Sequence, residues 1–294
     1  MKSALIGILA LLFLLFVPGL TQYIDGKCGF LPNGRVPNNI SSPWMAYLHT
    51  TELLYVCGGT LITKNLVLTA AHCILSNQEL VARLGEFIES ENGDGTIRSE
   101  HLVNETFVHP FYNLLTNVND IAILGLATDV VYSDYIRPIC IPWWTYWRKY
   151  IDNIQVLTGA RWGPTTKITE SNAFRTEDIR RQPAEMCSTN DGTAISNTQF
   201  CAGDSESNFC NVDFSSPLGA VISFRNYSRF VLIGVATVTK TCNKPSVYTD
   251  ILSHIQFILT VWRQFGKVQT TQTKSVPKQL PEEDNNRLFV LSEN

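Results

Sequence analysis

Eight cysteines stand downstream of a short apolar leader, and together these two features restrict the chain more than anything else in it. The leader reads M-K-S-A-L-I-G-I-L-A-L-L-F-L-L-F-V-P-G-L-T-Q. Lys2 supplies a positive start, Ala4 to Val17 are unbroken apolar residues, and Pro18, Gly19 and Thr21 end the run. That is the pattern of a secretory signal peptide over residues 1–22, cut near Gly19 to Gln22 and too short for a comfortable membrane span. No later segment is long and apolar enough to span a bilayer, so the chain is expected to be secreted, extracellular and free of the membrane once the leader is gone. In an oxidising compartment the even set Cys28, Cys57, Cys73, Cys140, Cys187, Cys201, Cys210 and Cys242 reads as four disulfides. It contains no C-x-x-C pair, so its spacing does not suit zinc. Asn39, Asn104 and Asn226 each open an N-x-S/T sequon and are expected glycosylation acceptors.

Behind the leader lies a short lead peptide, residues 23–30, which holds Cys28. From about Leu31 to Gln264 the chain runs in short apolar segments bounded by turn residues, such as T-L-I-T, L-V-L-T and F-V-L-I-G-V-A-T-V-T. Val, Ile, Leu and Thr dominate and helical periodicity is mostly absent, which predicts an all-β domain, sandwich or barrel. The period changes at Ser253 to Arg263, where Ile255, Ile258, Leu259 and Trp262 form one stripe of a helix, with Ser253 as its expected N-cap. The domain is expected to span 31–266. Residues 267–294, rich in Lys, Thr, Gln, Pro and Glu, read as a disordered tail. The net charge of −3 offers no basic face, so nucleic acid is not an expected partner.

Three separated segments carry the chemistry: V-L-T-A-A-H-C with His72, N-D-I-A-I-L with Asp120, and C-N-V-D-F-S-S-P-L, Cys210 to Leu218. Their order, together with P-W-M-A-Y-L, C-G-G-T-L-I, R-P-I-C-I-P and P-S-V-Y-T-D-I, resembles the trypsin-like (chymotrypsin-fold) serine proteases. The likeness runs from about Leu31 to about Gln264, and the wording of P-N-N-I-S-S-P-W-M-A-Y-L is most similar to arthropod secreted members. The resemblance implies two packed six-stranded antiparallel β-barrels with a C-terminal α-helix and a site in the cleft between the barrels. It also implies the pairs Cys57–Cys73, Cys187–Cys201, Cys210–Cys242 and Cys28–Cys140, the last tying the lead peptide to the body. The aromatic run Trp143 to Tyr150 would then lie in the connection between the barrels. Most of its rings are expected to pack there, and an exposed partner-binding patch is the sharper reading.

Against the family pattern the site is depleted. Acyl transfer by this route needs a hydroxyl nucleophile, a histidine to take its proton and a carboxylate to orient the histidine. His72 and Asp120 match base and orienter as triad remnants. The family motif C-x-G-D-S-G-G-P-L places Phe214 where the nucleophilic serine belongs, and Val212, Ser215 and Ser216 where glycines shape the oxyanion hole. The specificity pocket is altered at Asn208, at Thr237 and Thr239, and at Ser246. Phe30-Leu31-Pro32 replaces the basic residue and paired aliphatics of the activation site, so Asp213 is expected to lack its ammonium partner. The acidic loop Gly85 to Gly95 sits where some relatives hold calcium, with Glu86 matching one ligand. Its length and spacing depart from that pattern, so it reads as a solvated loop, with no metal and no cofactor. The expectation is a secreted non-catalytic serine protease homologue that works by binding a protein partner in an extracellular protease cascade. The alternative is a serine-type endopeptidase with an unusual or displaced nucleophile, for which Ser215 and Ser216 are the candidates.

Overall fold

The computed structural model describes residues 23–30, 42–74, 78–85, 98–161, 175–189, 192–203, 215–224, 227–237 and 245–272. The first closed barrel is built from β1 (Met45–Thr50), β2 (Tyr55–Thr63), β3 (Leu66–Thr69), β4 (Leu80–Leu84), β5 (Ser99–Val108) and β6 (Ala122–Leu126). Around the barrel the order is β1-β2-β3-β6-β5-β4, antiparallel throughout. Strands β3 and β6 are buried at every residue, which is why L-V-L-T and A-I-L-G-L read as continuous apolar runs rather than alternating ones. Strand β5 alternates along most of its length and leaves one face to solvent. Asn104 is exposed on that strand, where a glycan has room.

The second closed barrel comprises β7 (Val156–Arg161), β8 (Arg175–Gln182), β9 (Gln199–Ala202), β10 (Pro217–Phe224), β11 (Tyr227–Ala236) and β12 (Ser246–Asp250). Its order is β10-β11-β12-β9-β8-β7. The two six-stranded antiparallel barrels are those the family resemblance implied. One core runs between them: Phe230, Leu232 and Val235 of β11 pack into the cluster formed by the first barrel. Phe230 stacks on Trp44, with ring centroids 4.7 Å apart.

Between the barrels lies α1 (Arg148–Asp152), and after the second lies α2 (Ile255–Gln272). Helix α2 begins after a 3-10 turn at Leu252–His254 and continues six residues past Gly266, into the part of the sequence read as tail. The expected stripe is present, since Ile255, Ile258 and Leu259 are buried in the main core. The expected cap is not. Ser253 gives its backbone N–H to Asp250 Oδ1 (2.7 Å), so the accepting side chain lies three residues earlier, at the end of β12. The Ser253 hydroxyl instead accepts from Arg148 (3.2 Å).

Three of the implied disulfides are formed, Cys28–Cys140, Cys57–Cys73 and Cys187–Cys201. The fourth, Cys210–Cys242, lies outside the described residues. The lead peptide is part of the body rather than an appendage. Gly29 donates to Pro138 O (2.8 Å) and accepts from Phe230 N (3.0 Å), and Tyr132 donates to Asp25 (2.7 Å). Gly29 holds a φ of +62°, and a Cβ there would meet Phe230 O at 2.6 Å, so glycine is needed for this approach.

The aromatic run divides between the two readings. Trp147 is buried in the second core, whereas Trp144, Tyr146 and Tyr150 are about half exposed. The fixed point of the run is Arg148. Its guanidinium grips Asp250 with two parallel bonds of 2.8 Å each and so ties the connection between the barrels to the start of the C-terminal helical segment. Arg148→Ala strands a nearly buried carboxylate, and a loss of about 2 kcal/mol is expected in denaturant unfolding. Arg148→Lys keeps the charge but not the fork and should recover less than half of it.

Candidate functional site: a histidine–aspartate pair between the barrels

His72 sits in a 3-10 turn, Ala71–Cys73, immediately after β3. Asp120 ends the loop that leads into β6, and its side chain is fully buried. The two meet through two bonds: His72 Nδ1 lies 2.7 Å from Asp120 Oδ2, and the His72 backbone N–H donates to Oδ1 at 2.9 Å. One carboxylate therefore fixes both the ring and the turn that carries it. The other ring nitrogen, Nε2, lies 3.5 Å from the Cys73 sulfur. Cys57, His72 and Cys73 cluster closely enough to suggest a metal. Both sulfurs are spent in their disulfide and offer no thiolate.

The loop before Asp120 is held by the second barrel. Asn117 and Asn119 take left-handed backbone conformations, with φ of 52° and 58°, which asparagine tolerates better than most residues. Gln199 of β9 donates to Asn117 O (3.0 Å), and Thr249 of β12 donates to Asp120 O (3.1 Å). Tyr112 feels the charge of the same carboxylate, and its phenol is pushed up to about 12 by burial first and by the Asp120 charge second. Gln199, Thr249 and Tyr112 were invisible to the sequence reading, because each lies in a strand or loop whose own pattern says nothing about its distant partner.

Of the third segment, Ser215 and Ser216 are described. Ser215 adopts a φ of 68°, the left-handed region expected where the family carries glycine. It is fully buried, its hydroxyl donates to Gly58 O, and it accepts from Thr69 Oγ1 (3.0 Å). Its backbone N–H donates to Ala236 O (3.1 Å), and Ser216 O accepts from Ala236 N. The loop end is thus tied to β2, β3 and β11. Among the positions that the resemblance assigns to the pocket, Thr237 is buried and donates its hydroxyl to Val247 O (3.1 Å), beside the buried Ser246. Phe214, Val212, Asp213, Asn208 and Thr239 lie outside the described residues, as do Glu86 and most of the acidic loop, the sequons at Asn39 and Asn226, and Leu31-Pro32. Phe30 is described: the Arg229 guanidinium lies 3.2 Å from its ring centroid, with Arg137 at 5.9 Å.

Comparison with known proteins agrees with this architecture. The chain is 31% identical to a CLIP domain-containing serine protease B15 of Anopheles gambiae over 74% of its length and 66% of that relative's. It is 29% identical to the clotting factor G beta subunit of Tachypleus tridentatus, over 88% of this chain and 89% of that one. Among solved structures, the Drosophila Grass clip serine protease of the Toll pathway superposes with a TM-score of 0.66 at 27% identity, covering 79% of this chain and 73% of that one. A family profile described as Trypsin matches residues 31–258, and with both barrels and the His72–Asp120 pair in place the chain belongs to the trypsin family of serine proteases.

Proposed function

We propose that this family member is secreted and acts without peptidase chemistry, by binding a protein partner in an extracellular protease cascade. The single observation that carries the reading is Phe214 in the frame of the nucleophile loop. A phenyl ring has no proton to give His72 and no lone pair to attack a carbonyl, so the route through a covalent acyl intermediate is closed. The neighbouring hydroxyls do not compensate. Ser215 is buried and engaged by Gly58 and Thr69, and Ser216 is buried as well. In this reading the His72–Asp120 pair survives as a structural clasp between the turn after β3 and the loop before β6. The names of the relatives, a clotting factor and a protease of the Toll pathway, support a place among extracellular proteases that act in series. The signal-like leader and the formed disulfides support secretion.

The test is labelling of the purified secreted protein with a fluorophosphonate probe, beside an active trypsin. The expected outcome is no labelling of this chain under conditions that label trypsin to completion. Stoichiometric labelling that disappears in His72→Ala would overturn the reading and establish a displaced serine nucleophile.

A further inference from the structure

The loop that delivers Asp120 carries a second polar network, and its hydrogen count does not close with neutral side chains. His254, in the turn before α2, is buried. Its Nδ1 lies 2.6 Å from Asp250 O, and its Nε2 lies 3.1 Å from Asn119 Oδ1. The Asn119 amide nitrogen donates to Phe111 O (2.9 Å). A neutral imidazole has one N–H. If it sits on Nδ1, the bare Nε2 faces the Asn119 oxygen, acceptor against acceptor. If it sits on Nε2, the bare Nδ1 faces the Asp250 carbonyl. Turning the Asn119 amide over satisfies Nε2 but sets its oxygen against Phe111 O. Only the imidazolium, with both nitrogens protonated, closes all three contacts.

We propose that His254 is a proton-dependent latch on the segment Phe111–Asn119: protonated, it pins Asn119 and through it Phe111, and neutral, it must release one of the contacts. Asn119 directly precedes Asp120, so the latch acts on the loop that feeds the candidate site, and it does so whether or not the protein cuts peptides. The segment it governs exposes Phe111, Leu114 and Leu115.

The groups around the ring set where the latch operates. Burial holds His254 below the ordinary imidazole value, opposed by the carbonyl and the charge of Asp250. The Asp250 carboxylate is itself shared with Arg148 and the Ser253 N–H. From the end of β5, His109 meets the ring edge-on at 5.3 Å, and a charge on either histidine disfavours the other. Asp120 turns its carboxylate to His72. From α2 the neighbour is Phe257, packed on His109. The latch therefore closes on the acid side of the ordinary histidine value. The sign for the whole molecule is opposite. A lowered folded value means that the unfolded chain takes the proton more readily, so global stability falls through the same pH range in which the loop tightens.

The experiment follows the ring nitrogens of His254 by 15N NMR in the full secreted chain from pH 8 to pH 5. Hydrogen exchange at Asn113, Leu115 and Thr116, corrected for intrinsic rates, is followed in parallel. Two doubly protonated nitrogens should appear in acid, with a rise of roughly 10-fold in loop protection at the same midpoint. His254→Gln, whose amide donates at every pH, should abolish the pH dependence of the protection, and His109→Gln should retain it. A single neutral tautomer throughout, protection that does not follow the ring, or loss of the response in His109→Gln would each overturn the proposal. The first two of these need no variant to fold.

Discussion

Phe214→Ser alone is expected to leave arginyl and lysyl substrates uncut, with a gain of less than about 10-fold over the parent protein, although removing the serine from a working triad costs about 10⁶ in turnover. A hydroxyl at this position regains the step only if a base, an oxyanion hole and a pocket are already waiting for it. The base is in place, since His72 is oriented by Asp120 through a 2.7 Å contact. The rest of the loop is built differently. Ser215 occupies a left-handed position, and its hydroxyl binds Gly58 O and Thr69, so the backbone that shapes the hole is held to β2 and β3 by a side chain that glycine lacks. Ser246 is buried, and in the proposed reading it replaces the glycine beneath the family's pocket while Asn208 replaces the carboxylate that would receive a cationic side chain. In the same reading, Phe30 denies a trypsin-like activator its basic residue. Activity should therefore return only when several of these positions change together, with Ser215→Gly and Ser216→Gly as the first additions. Robust cleavage of an arginyl substrate by the single mutant, measured with a chromogenic peptide, would show that hole and pocket had never been lost.

The all-β class could be read from the chain's own pattern for a physical reason, whereas the two barrels and the meeting of His72 with Asp120 followed from the family resemblance of its short motifs. Strands buried on both faces leave apolar runs such as L-V-L-T. The residues that fix an active-site turn sit in short segments whose wording is itself constrained, V-L-T-A-A-H-C and N-D-I-A-I-L among them. What could not be read is the set of contacts that join residues about a hundred positions apart. Arg148 is one basic residue in an aromatic run, with no local sign of its partner, and it clasps Asp250. Nothing around His254 in the sequence signals Asn119, yet its Nε2 meets that residue 135 positions away, while its Nδ1 meets the nearby Asp250 carbonyl. The expected cap at Ser253 failed for a local reason. A serine ahead of an apolar stripe is a local signal, and Asp250 outcompeted it because the preceding strand already aims that carboxylate at the turn. The C-terminal boundary was drawn at Gly266 from composition, since Lys, Thr and Gln carry no apolar stripe. The helix nevertheless continues to Gln272.

That helix is anchored by a residue just beyond the legible stripe. Phe265→Ala is expected to destabilise the protein by about 3–5 kcal/mol, the range for a buried phenylalanine whose cavity cannot collapse, and to lower the melting temperature by roughly 10 °C. Phe265 is 1% exposed within the core that unites the first barrel with α2. Its ring meets Phe107 edge-on at 6.2 Å and abuts Gly125 of β6, where an added Cβ would come within 2.4 Å of it. Gly125 is thus glycine because the ring occupies the space, not because its backbone requires it. Gly125→Ala should then cost about 1–3 kcal/mol through overpacking. The two changes should not add. In the double mutant the new methyl enters the space vacated by the ring, so the combined loss should fall short of the sum by about 1 kcal/mol or more. Chemical denaturation of the four proteins measures this coupling directly. Strict additivity, or a loss below about 1 kcal/mol for Phe265→Ala alone, would mean that α2 is not held against β6 by this ring. Where coupling is found, the C-terminal helix is a working part of the first barrel's wall.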